Sequence, residues 1–375
     1  MTHPMPDRRT FLAGSAALAV AVGAAGAVQA GEGDLNLFVG TYTSDAGKGI
    51  YPLTYTAATD TWAGGPALYA IENVSFGAYS RGLGRHYLVD ENNNAVGVYH
   101  VSSDGVWHKS AQVSSQGAAP CYITLDPSER YLAIANYGGG DVVVFRLDDE
   151  GKPVGGPVIR QNHGTGPNAD RQEGPHAHCV KFAPDQKTIY SVDLGTDQLL
   201  GYSFDAESGA IGDSFVAFQA PAGSGPRHVA FHPDGEIAYL VSELSNQIFV
   251  LRRHGDGAYG SAQTLSSLPD DFEGSSAAAH IALNRTGDIL YVSNRGHNSI
   301  SVFSVGPGGA LTLVQSSPTL GDWPRFFCVM EEQRRLLVAH QRGGTIVVFK
   351  INDDGTLAPT GQSIEVPQPV FIAPV

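Results

Sequence analysis

A repeat of about 50 residues runs through the chain and constrains its fold more than any other feature. Seven segments rich in β-branched and aromatic residues each end at a polar side chain, and these side chains are 45 to 57 residues apart. They are Thr41, Glu91, Asn136, Asp193, Glu243, Asn294 and His340. A period of this length predicts a solenoid, a propeller or another repeat array.

Four short strands account for each repeat. A second alternating segment, such as VVVFRL or ISVFSV, follows most of the polar positions, and turn residues such as DDEG or PGG come after it. Another strand with its own turn precedes most of them, as in CYITLDPSE and HVAFHPDG. Four strands without a helical period are typical of a propeller blade. We therefore predict an all-β propeller of seven four-stranded blades, with six or eight blades as the alternatives.

The two ends of the repeat array complement each other. The first repeat lacks an initial strand, whereas the C-terminal PQPVFIAPV is a strand with nothing after it. We predict that residues 369–373 form the inner strand of the blade built from about residues 35–70. This pairing closes the ring and removes its exposed edges. Residues 31–375 then form one domain without a linker.

The first thirty residues have the pattern of an export signal. Arg8 and Arg9 precede an apolar, alanine-rich run that ends in VQA at residues 28–30. The paired arginines indicate twin-arginine export, cleavage near Gly31, and a periplasmic or secreted protein without a membrane anchor. An ordinary secretory signal and an uncleaved anchor are the alternatives.

Charge and cysteine content exclude some classes of function. The formal net charge is −14, and a nucleic-acid surface needs clustered Lys and Arg, so we predict no nucleic-acid partner. Cys121, Cys179 and Cys328 lie in apolar stretches without zinc-site spacing. They are interpreted as small buried hydrophobic residues, with a disulfide as the alternative.

The repeat distributes polar side chains between two faces. The first strand of each repeat begins where the second ends, so both points lie on one face near the axis, which we call the mouth. First-strand starts place His176, His178, Arg227 and Arg325 there, and second-strand ends add Glu91, Asn136, Asp193, Glu243, Asn294, Arg295 and Gln341. The opposite face carries Asp126, Asp185 and Asp234, which are interpreted as turn-forming.

Three arginines at one mouth indicate a negatively charged or oxygen-rich ligand. Arg227, Arg295 and Arg325 would repel one another unless anions share the site. His178 is a candidate catalytic residue beside them. No G-x-S-x-G segment occurs, which argues against a serine nucleophile.

Each of these residue types also has a purely structural interpretation. Asn136, Asp193 and Glu91 could serve only to hold neighbouring loops, and a histidine could serve only to complete local hydrogen bonds. A metal site is another alternative, because His176 and His178 form a His-x-His pair. Arginines disfavour a divalent cation nearby, and no third ligand has a matching spacing, so we predict no metal and no cofactor.

Several long segments resemble one known family. RQEGPHAHCVKFAPD, GPRHVAFHPDG, LYVSNRGHNSISVF and GDWPRFF resemble the lactonase family of seven-bladed propellers, which includes propeller-type 6-phosphogluconolactonases and fungal carboxy-muconate lactonizing enzymes. The resemblance covers about residues 35–375. The chain departs from the family pattern at IENVSFGAYS and at His340, where an asparagine is expected.

The resemblance implies a hydrolase that acts on a small-molecule lactone, and we predict a monomer. The shared motifs imply roles for Arg227, Glu243, Arg295 and the two histidines, and we predict His178, Arg227, Glu243 and Arg295 as catalytic. The placement of polar side chains at the mouth adds a predicted substrate-binding set of His176, Arg325, Asn136, Asp193 and Gln341. Either His176 or His178 matches the family histidine, and either His178 or Glu243 would deprotonate water. Export favours an unphosphorylated sugar lactone or a related organic-acid lactone. A lactonizing cycloisomerase and a non-catalytic binding propeller are the alternatives.

Overall fold

Seven antiparallel four-stranded sheets surround a central axis in the computed structural model, which describes residues 33–43 and 46–375. The seven-bladed all-β prediction is confirmed. Strands are numbered β1 to β28 along the chain, and a short 3-10 turn spans Pro307–Gly309. No helix in the described part of the chain is long and apolar enough to cross a membrane. The predicted export signal, residues 1–30, lies outside the described residues.

Within each blade the strands follow one another from the axis outward. Blade 1 contains β28 (Pro369–Pro374), β1 (Leu35–Thr41), β2 (Tyr51–Thr56) and β3 (Thr61–Gly64). Blade 2 contains β4 (Gly77–Ser80), β5 (Arg85–Asp90), β6 (Ala95–Val101) and β7 (Trp107–Ser114). Blade 3 contains β8 (Pro120–Leu125), β9 (Tyr131–Asn136), β10 (Asp141–Leu147) and β11 (Pro153–Gln161). Blade 4 contains β12 (Ala177–Phe182), β13 (Thr188–Asp193), β14 (Gln198–Phe204) and β15 (Ile211–Gln219).

The remaining three blades have the same order. Blade 5 contains β16 (Pro226–Phe231), β17 (Ile237–Ser242), β18 (Gln247–Arg253) and β19 (Tyr259–Ser266). Blade 6 contains β20 (Ala277–Leu283), β21 (Ile289–Arg295), β22 (Ser299–Val305) and β23 (Leu311–Pro318). Blade 7 contains β24 (Pro324–Met330), β25 (Arg335–His340), β26 (Thr345–Ile351) and β27 (Leu357–Glu365).

The C-terminal strand closes the ring. β28 pairs antiparallel with β1, with Leu37 opposite Pro374 and Gly40 opposite Phe371. The predicted pairing of residues 369–373 with the first blade is therefore confirmed. Because the last segment of the chain completes the first sheet, unfolding of either end exposes a strand edge in blade 1.

Buried tyrosines join neighbouring blades by a repeated contact. The Tyr190 hydroxyl donates to the Gly257 carbonyl at 2.6 Å, and the Tyr291 hydroxyl donates to the Gly355 carbonyl at 2.9 Å. Tyr87 and Tyr239 make the same contact with turn glycines of the next blade. Each ring fills the space between two sheets, while its hydroxyl satisfies a turn carbonyl that would otherwise be buried without a partner.

The aspartates on the opposite face organise turns, as predicted. Asp126 Oδ1 accepts the Tyr131 N–H at 2.7 Å, and Asp234 Oδ1 accepts the Glu236 N–H at 2.8 Å. Asp185 accepts a turn N–H in the same way. These carboxylates satisfy the backbone of their own turns and lie at the end of the blades away from the mouth.

Bulges in the innermost strands determine which side chains point to the axis. In blades 3, 4, 5 and 7 the pairing register shifts across Cys121, His178, Arg227 and Arg325, respectively. A bulge sets two residues against one on the partner strand, so the extra side chain turns the same way as the next one. The four bulge residues therefore gather at the mouth.

An aromatic layer closes the axis directly below these four residues. The rings of Phe76 and Tyr122 stack with centroids 4.0 Å apart, and Phe76 reaches the ring of His228 across the axis at 6.2 Å. Each blade contributes one side chain to this layer: Phe76, Tyr122, Cys179, His228, His280, Phe326 and Phe371. The layer separates the mouth from the lower part of the axis.

The predicted alignment of second-strand ends was wrong by one residue in two blades. β5 ends at Asp90 and β17 ends at Ser242, so Glu91 and Glu243 are the first residues after their strands. Asn136, by contrast, is the last residue of its strand. Successive side chains in a strand point to opposite sides, so Glu91 and Glu243 point to the side opposite that of Asn136. The residues equivalent in register to Glu243 are Tyr42, Glu91, Tyr137, Leu194, Arg295 and Gln341; Arg295 is the last residue of β21, and the others directly follow their strands.

Candidate active site

A buried glutamate lies at the centre of the charged cluster. Glu243 Oε2 accepts a hydrogen bond from Arg227 Nε at 3.0 Å and forms an ion pair with Arg295 Nη2 at 2.7 Å, while Oε1 accepts a hydrogen bond from Arg171 Nη2 at 2.7 Å. Burial works against its charge, but Arg295 and Arg227 hold the pKa of the Glu243 carboxyl well below its usual range. The group is therefore a carboxylate at neutral pH and a very weak base.

The two arginines beside Glu243 are fixed by backbone contacts as well. Arg227 Nη1 donates to the Ala279 carbonyl at 2.7 Å, and Arg295 Nη2 donates to the Ala278 carbonyl at 3.0 Å. Burial and the neighbouring Arg295 lower the pKa of Arg227 to about 9, which leaves it charged at neutral pH. Arg227 Nη2 and Arg295 Nη1 donate to no group in residues 33–43 or 46–375, so both remain available to a ligand.

A second carboxylate reaches the cluster through a tyrosine. Arg325 Nη2 donates to the Tyr42 hydroxyl at 2.9 Å, and that hydroxyl donates to Glu91 Oε2 at 2.8 Å. Arg325 also lies over the Tyr42 ring, 5.4 Å from its centroid. Four guanidinium groups, counting Arg171, thus share two carboxylates, Glu91 and Glu243. The excess positive charge favours an anionic or oxygen-rich ligand.

His178 lies in the same cluster as a neutral imidazole. Burial, reinforced by the charge of Arg227, holds the pKa of His178 well below its usual range. Its Nδ1 lies 3.7 Å from Cys121 Sγ, and its Nε2 has no hydrogen-bond partner among the described residues. Burial also raises the pKa of the Cys121 thiol, so this cysteine is not a thiolate nucleophile.

His176 is engaged on both ring nitrogens. Its Nδ1 lies 2.9 Å from the Tyr137 carbonyl oxygen, and its Nε2 lies 3.2 Å from Glu173 Oε1. The ring stacks on Tyr137 with centroids 4.5 Å apart. These contacts hold the rim segment that precedes β12, and they leave His178 as the histidine with a free ring nitrogen. The described residues contain no group of three or more His, Cys, Asp or Glu side chains arranged to hold a metal ion.

The other residues predicted to bind substrate separate into two groups. Asn136 and Asp193 are completely buried, and their side chains bond within the turns of blades 3 and 4. Asn294 makes a similar set of contacts in blade 6. Gln341, at the position after a strand end, has a buried Oε1 without a hydrogen-bond partner. Asn136 Oδ1 is likewise buried without a partner, so Gln341 and Asn136 are the two of these four with an unused acceptor among the described residues.

Sequence reasoning missed three members of the cluster. Tyr42 and Tyr137 occupy the position after a second-strand end, so the correct repeat register would have identified both. Arg171 comes from the long segment before β12, where no repeat position corresponds to it. Its contact with Glu243 spans 72 residues.

Comparisons with known proteins agree with this architecture over nearly the whole chain. Residues 36–374 match the profile of a family described as "Lactonase, 7-bladed beta-propeller". The chain is 32% identical over 342 residues to a 6-phosphogluconolactonase of Bacillus subtilis, covering 89% of this chain and 97% of that protein.

Solved structures with the same fold come from several bacteria. A putative 6-phosphogluconolactonase from Bacteroides uniformis is 33% identical with a TM-score of 0.82, covering 91% of this chain and 99% of that chain. A periplasmic gluconolactonase of Pseudomonas aeruginosa is 29% identical with a TM-score of 0.83, covering 91% of this chain and 98% of that chain.

Proposed function

The chain belongs to the lactonase family of seven-bladed β-propellers, and from this premise we propose that it hydrolyses the ring ester of a sugar lactone or a related organic-acid lactone at the mouth. The observation that carries the proposal is the placement of neutral His178 beside the Arg227–Glu243–Arg295 group. A neutral base next to fixed positive donors is what ester hydrolysis by activated water requires.

His178 is the proposed general base. With Nδ1–H directed at Cys121 Sγ, the free Nε2 takes a proton from water as the water oxygen attacks the lactone carbonyl carbon. The ring C–O bond then breaks, and the same proton passes from Nε2 to the departing ring oxygen. Lactone and water thus yield one hydroxy acid, and the imidazole returns to its neutral form.

The arginines are proposed to stabilise the oxyanion of the tetrahedral intermediate. Arg227 Nη2 and Arg295 Nη1 are the donors that the protein leaves unused, and both guanidinium groups are already positioned by backbone carbonyls. Donors fixed in advance need no reorganisation when charge develops on the carbonyl oxygen. The product carboxylate would meet the same donors.

Glu243 is proposed to position the arginines and not to act as the base. Three guanidinium groups contact its two oxygens, so a proton taken from water would have to displace their hydrogen bonds. As a permanent carboxylate, it offsets the repulsion between Arg227 and Arg295. The lowered pKa weakens His178 as a base as well, but its Nε2 has no hydrogen bond among the described residues to displace, so the contacts favour His178 over Glu243.

An unphosphorylated sugar lactone is the proposed substrate class, with the mature protein in the periplasm. The arginine pattern of residues 8–9 and the VQA at residues 28–30 support export. The similar protein from Pseudomonas aeruginosa is named a periplasmic gluconolactonase, which supports the same substrate and compartment. Gln341, with its unused acceptor, suits a sugar hydroxyl.

Product analysis with a panel of lactones tests the proposal. NMR of reactions with an aldonolactone, its 6-phosphate and a muconate-type lactone should show ring opening to the hydroxy acid, fastest for the unphosphorylated aldonolactone. His178→Asn should reduce this turnover by about 10²–10⁴-fold, while Asp234→Asn, on the opposite face, should retain it. If the protein closes the ring of a muconate and hydrolyses none of the lactones, it is a lactonizing cycloisomerase and not a hydrolase. If none of these compounds reacts, the non-catalytic binding propeller is the remaining interpretation.

A further inference from the structure

Below the aromatic layer, on the side opposite the mouth, a further ring of side chains surrounds the axis, and we call the space inside this ring the channel. Two residues further along each innermost strand, one side chain per blade lines it: Ala78, Thr124, Lys181, Ala230, Ala282, Cys328 and Ala373. All of them except Ala230 keep partial access to solvent, although they belong to the innermost strands. Since six of the seven side chains are small, Lys181 dominates the chemistry of this channel.

The Lys181 ammonium has no partner in the part of the chain that the structure describes. It makes no hydrogen bond or ion pair with any residue in 33–43 or 46–375, and the channel lining contains no carboxylate. Burial lowers the pKa of Lys181, and burial together with the nearby charge of Lys181 lowers the pKa of His280. Lys181 keeps only partial access to solvent, so its charge is incompletely hydrated and an anion beside it would offset that cost.

A second donor without an acceptor follows from a chain of hydrogen bonds across the aromatic layer. Arg227 Nη1 can only donate, so His228 Nε2 accepts its hydrogen bond at 3.0 Å and the His228 proton sits on Nδ1. That Nδ1–H donates to His280 Nδ1 at 3.1 Å. His280 therefore carries its own proton on Nε2, and this N–H meets no acceptor among the described residues.

We propose that the channel below the aromatic layer is a binding site for a small inorganic anion, held by the Lys181 ammonium and the His280 Nε2–H. An anion supplies the charge that Lys181 lacks and the acceptor that His280 lacks. The Thr124 hydroxyl and the Cys328 thiol are the only other polar side chains in the lining, so a sugar acid with many hydroxyls would find few partners. A halide or a small oxyanion fits these donors.

Bromide tests the proposal directly, because its anomalous scattering locates it. Crystals of the whole mature protein soaked in sodium bromide should show an anomalous peak at hydrogen-bond distance from Lys181 Nζ. The peak should be present in Lys187→Met, which changes an exposed lysine in the turn after β12, and absent in Lys181→Met. A wild-type crystal with a bromide at the mouth arginines but only water at Lys181 would overturn the proposal, as would a peak that persists in Lys181→Met.

Thermal unfolding extends the test to solution. At constant ionic strength, bromide should raise the Tm of the wild type and of Lys187→Met more than that of Lys181→Met, because a ligand stabilises only the state that binds it. Anion binding at the mouth contributes equally to all three proteins and cancels in the comparison. Equal shifts in all three would contradict a channel site. Lactone turnover of Lys181→Met should match the wild type, since the aromatic layer lies between Lys181 and the mouth.

Discussion

Arg227 and Glu243 stand at the mouth ends of adjacent strands in one blade and join Nε to Oε2 at 3.0 Å, both almost fully buried. The bulge at Arg227 turns this side chain toward the axis, and Glu243 is the first residue after β17, so both project into the same space. A buried ion pair of this kind is costly to break by removing one partner, because the other is left charged and unpaired.

Replacing the central carboxylate should impair both stability and turnover. Glu243→Gln keeps the shape of the side chain but leaves Arg227 and Arg295 without their shared anion, which should lower the free energy of unfolding by about 3–5 kcal/mol. Urea unfolding measures this loss, and kcat/KM measured below the transition should also fall. Asp234→Asn, which alters a turn carboxylate on the opposite face, is the control and should leave kcat/KM near the wild-type value. If both variants lose kcat/KM to the same extent, the assignment of the active site to the mouth is wrong.

The two histidines of the His-x-His pair should separate kinetically. His178→Asn removes the free Nε2 and should reduce kcat by about 10²–10⁴-fold with little change in Tm, as expected for loss of a general base. His176→Asn removes only contacts to Tyr137 and Glu173 at the rim, so its effect on kcat should be much smaller. Steady-state kinetics with an aldonolactone decides between them. A larger loss in His176→Asn would make His176 the catalytic histidine.

The sequence predicted the fold more fully than the site. The repeat and the unpaired strands at the two ends were sufficient to predict seven blades and the pairing of β28 with β1. The repeat also brought Arg227, Arg295 and Arg325 to one face. It did not show that innermost-strand bulges would select the residues that reach the axis, because a bulge is one residue in an otherwise unchanged pattern.

Register also explains why some polar residues were assigned to the ligand. Asn136 and Glu91 both look like the polar end of a strand, yet one is the last strand residue and the other is the first residue after it. A one-residue difference in register is invisible in a series of hydrophobic segments, but it decides which way the side chain points. Arg171 came from a segment outside the repeat, so no periodic argument could locate it.

Acid should destabilise the protein through buried histidines. Burial lowers the pKa of His340 to about 4, below its ordinary value of 6.5, and does the same to His86. Between these values the unfolded chain binds protons that the folded chain does not, so stability is complete above about pH 6.5 and falls as the pH drops toward 4. Each histidine accounts for about 3 kcal/mol of this loss at most.

Urea unfolding at a series of pH values checks this dependence. His340→Asn removes one of the two groups, together with a buried Nε2 that has no hydrogen-bond partner. The variant should therefore lose less stability than the wild type between pH 6.5 and 4. An identical slope in both proteins would mean that His340 is already protonated, or solvated, in the folded state.

The tyrosine contacts between blades should contribute measurably to stability. Tyr190→Phe leaves the Gly257 carbonyl buried without its donor, at a cost of about 1–3 kcal/mol in the free energy of unfolding. Tyr79→Phe, at a tyrosine that is 45% exposed, is the matched control and should change stability by less than about 0.5 kcal/mol. Chemical denaturation of both variants gives the comparison. Indistinguishable midpoints would mean that the Tyr190 hydrogen bond does not stabilise the packing of the blades.

Arg325 should control the preference for oxygen-rich substrates. Its only hydrogen bond among the described residues goes to the Tyr42 hydroxyl, so Nε and Nη1 remain available to a ligand, and they need acceptors once a substrate displaces their water. Arg325→Ala should therefore reduce kcat/KM for an aldonolactone or a carboxylated lactone by about 10²–10³-fold and affect a simple alkyl lactone far less. Tyr42→Phe, which removes the link to Glu91 but keeps the arginine, should shift the same ratio only weakly. If the wild type hydrolyses the alkyl lactone best and Arg325→Ala leaves the ranking unchanged, Arg325 supports the mouth structurally and does not select the substrate.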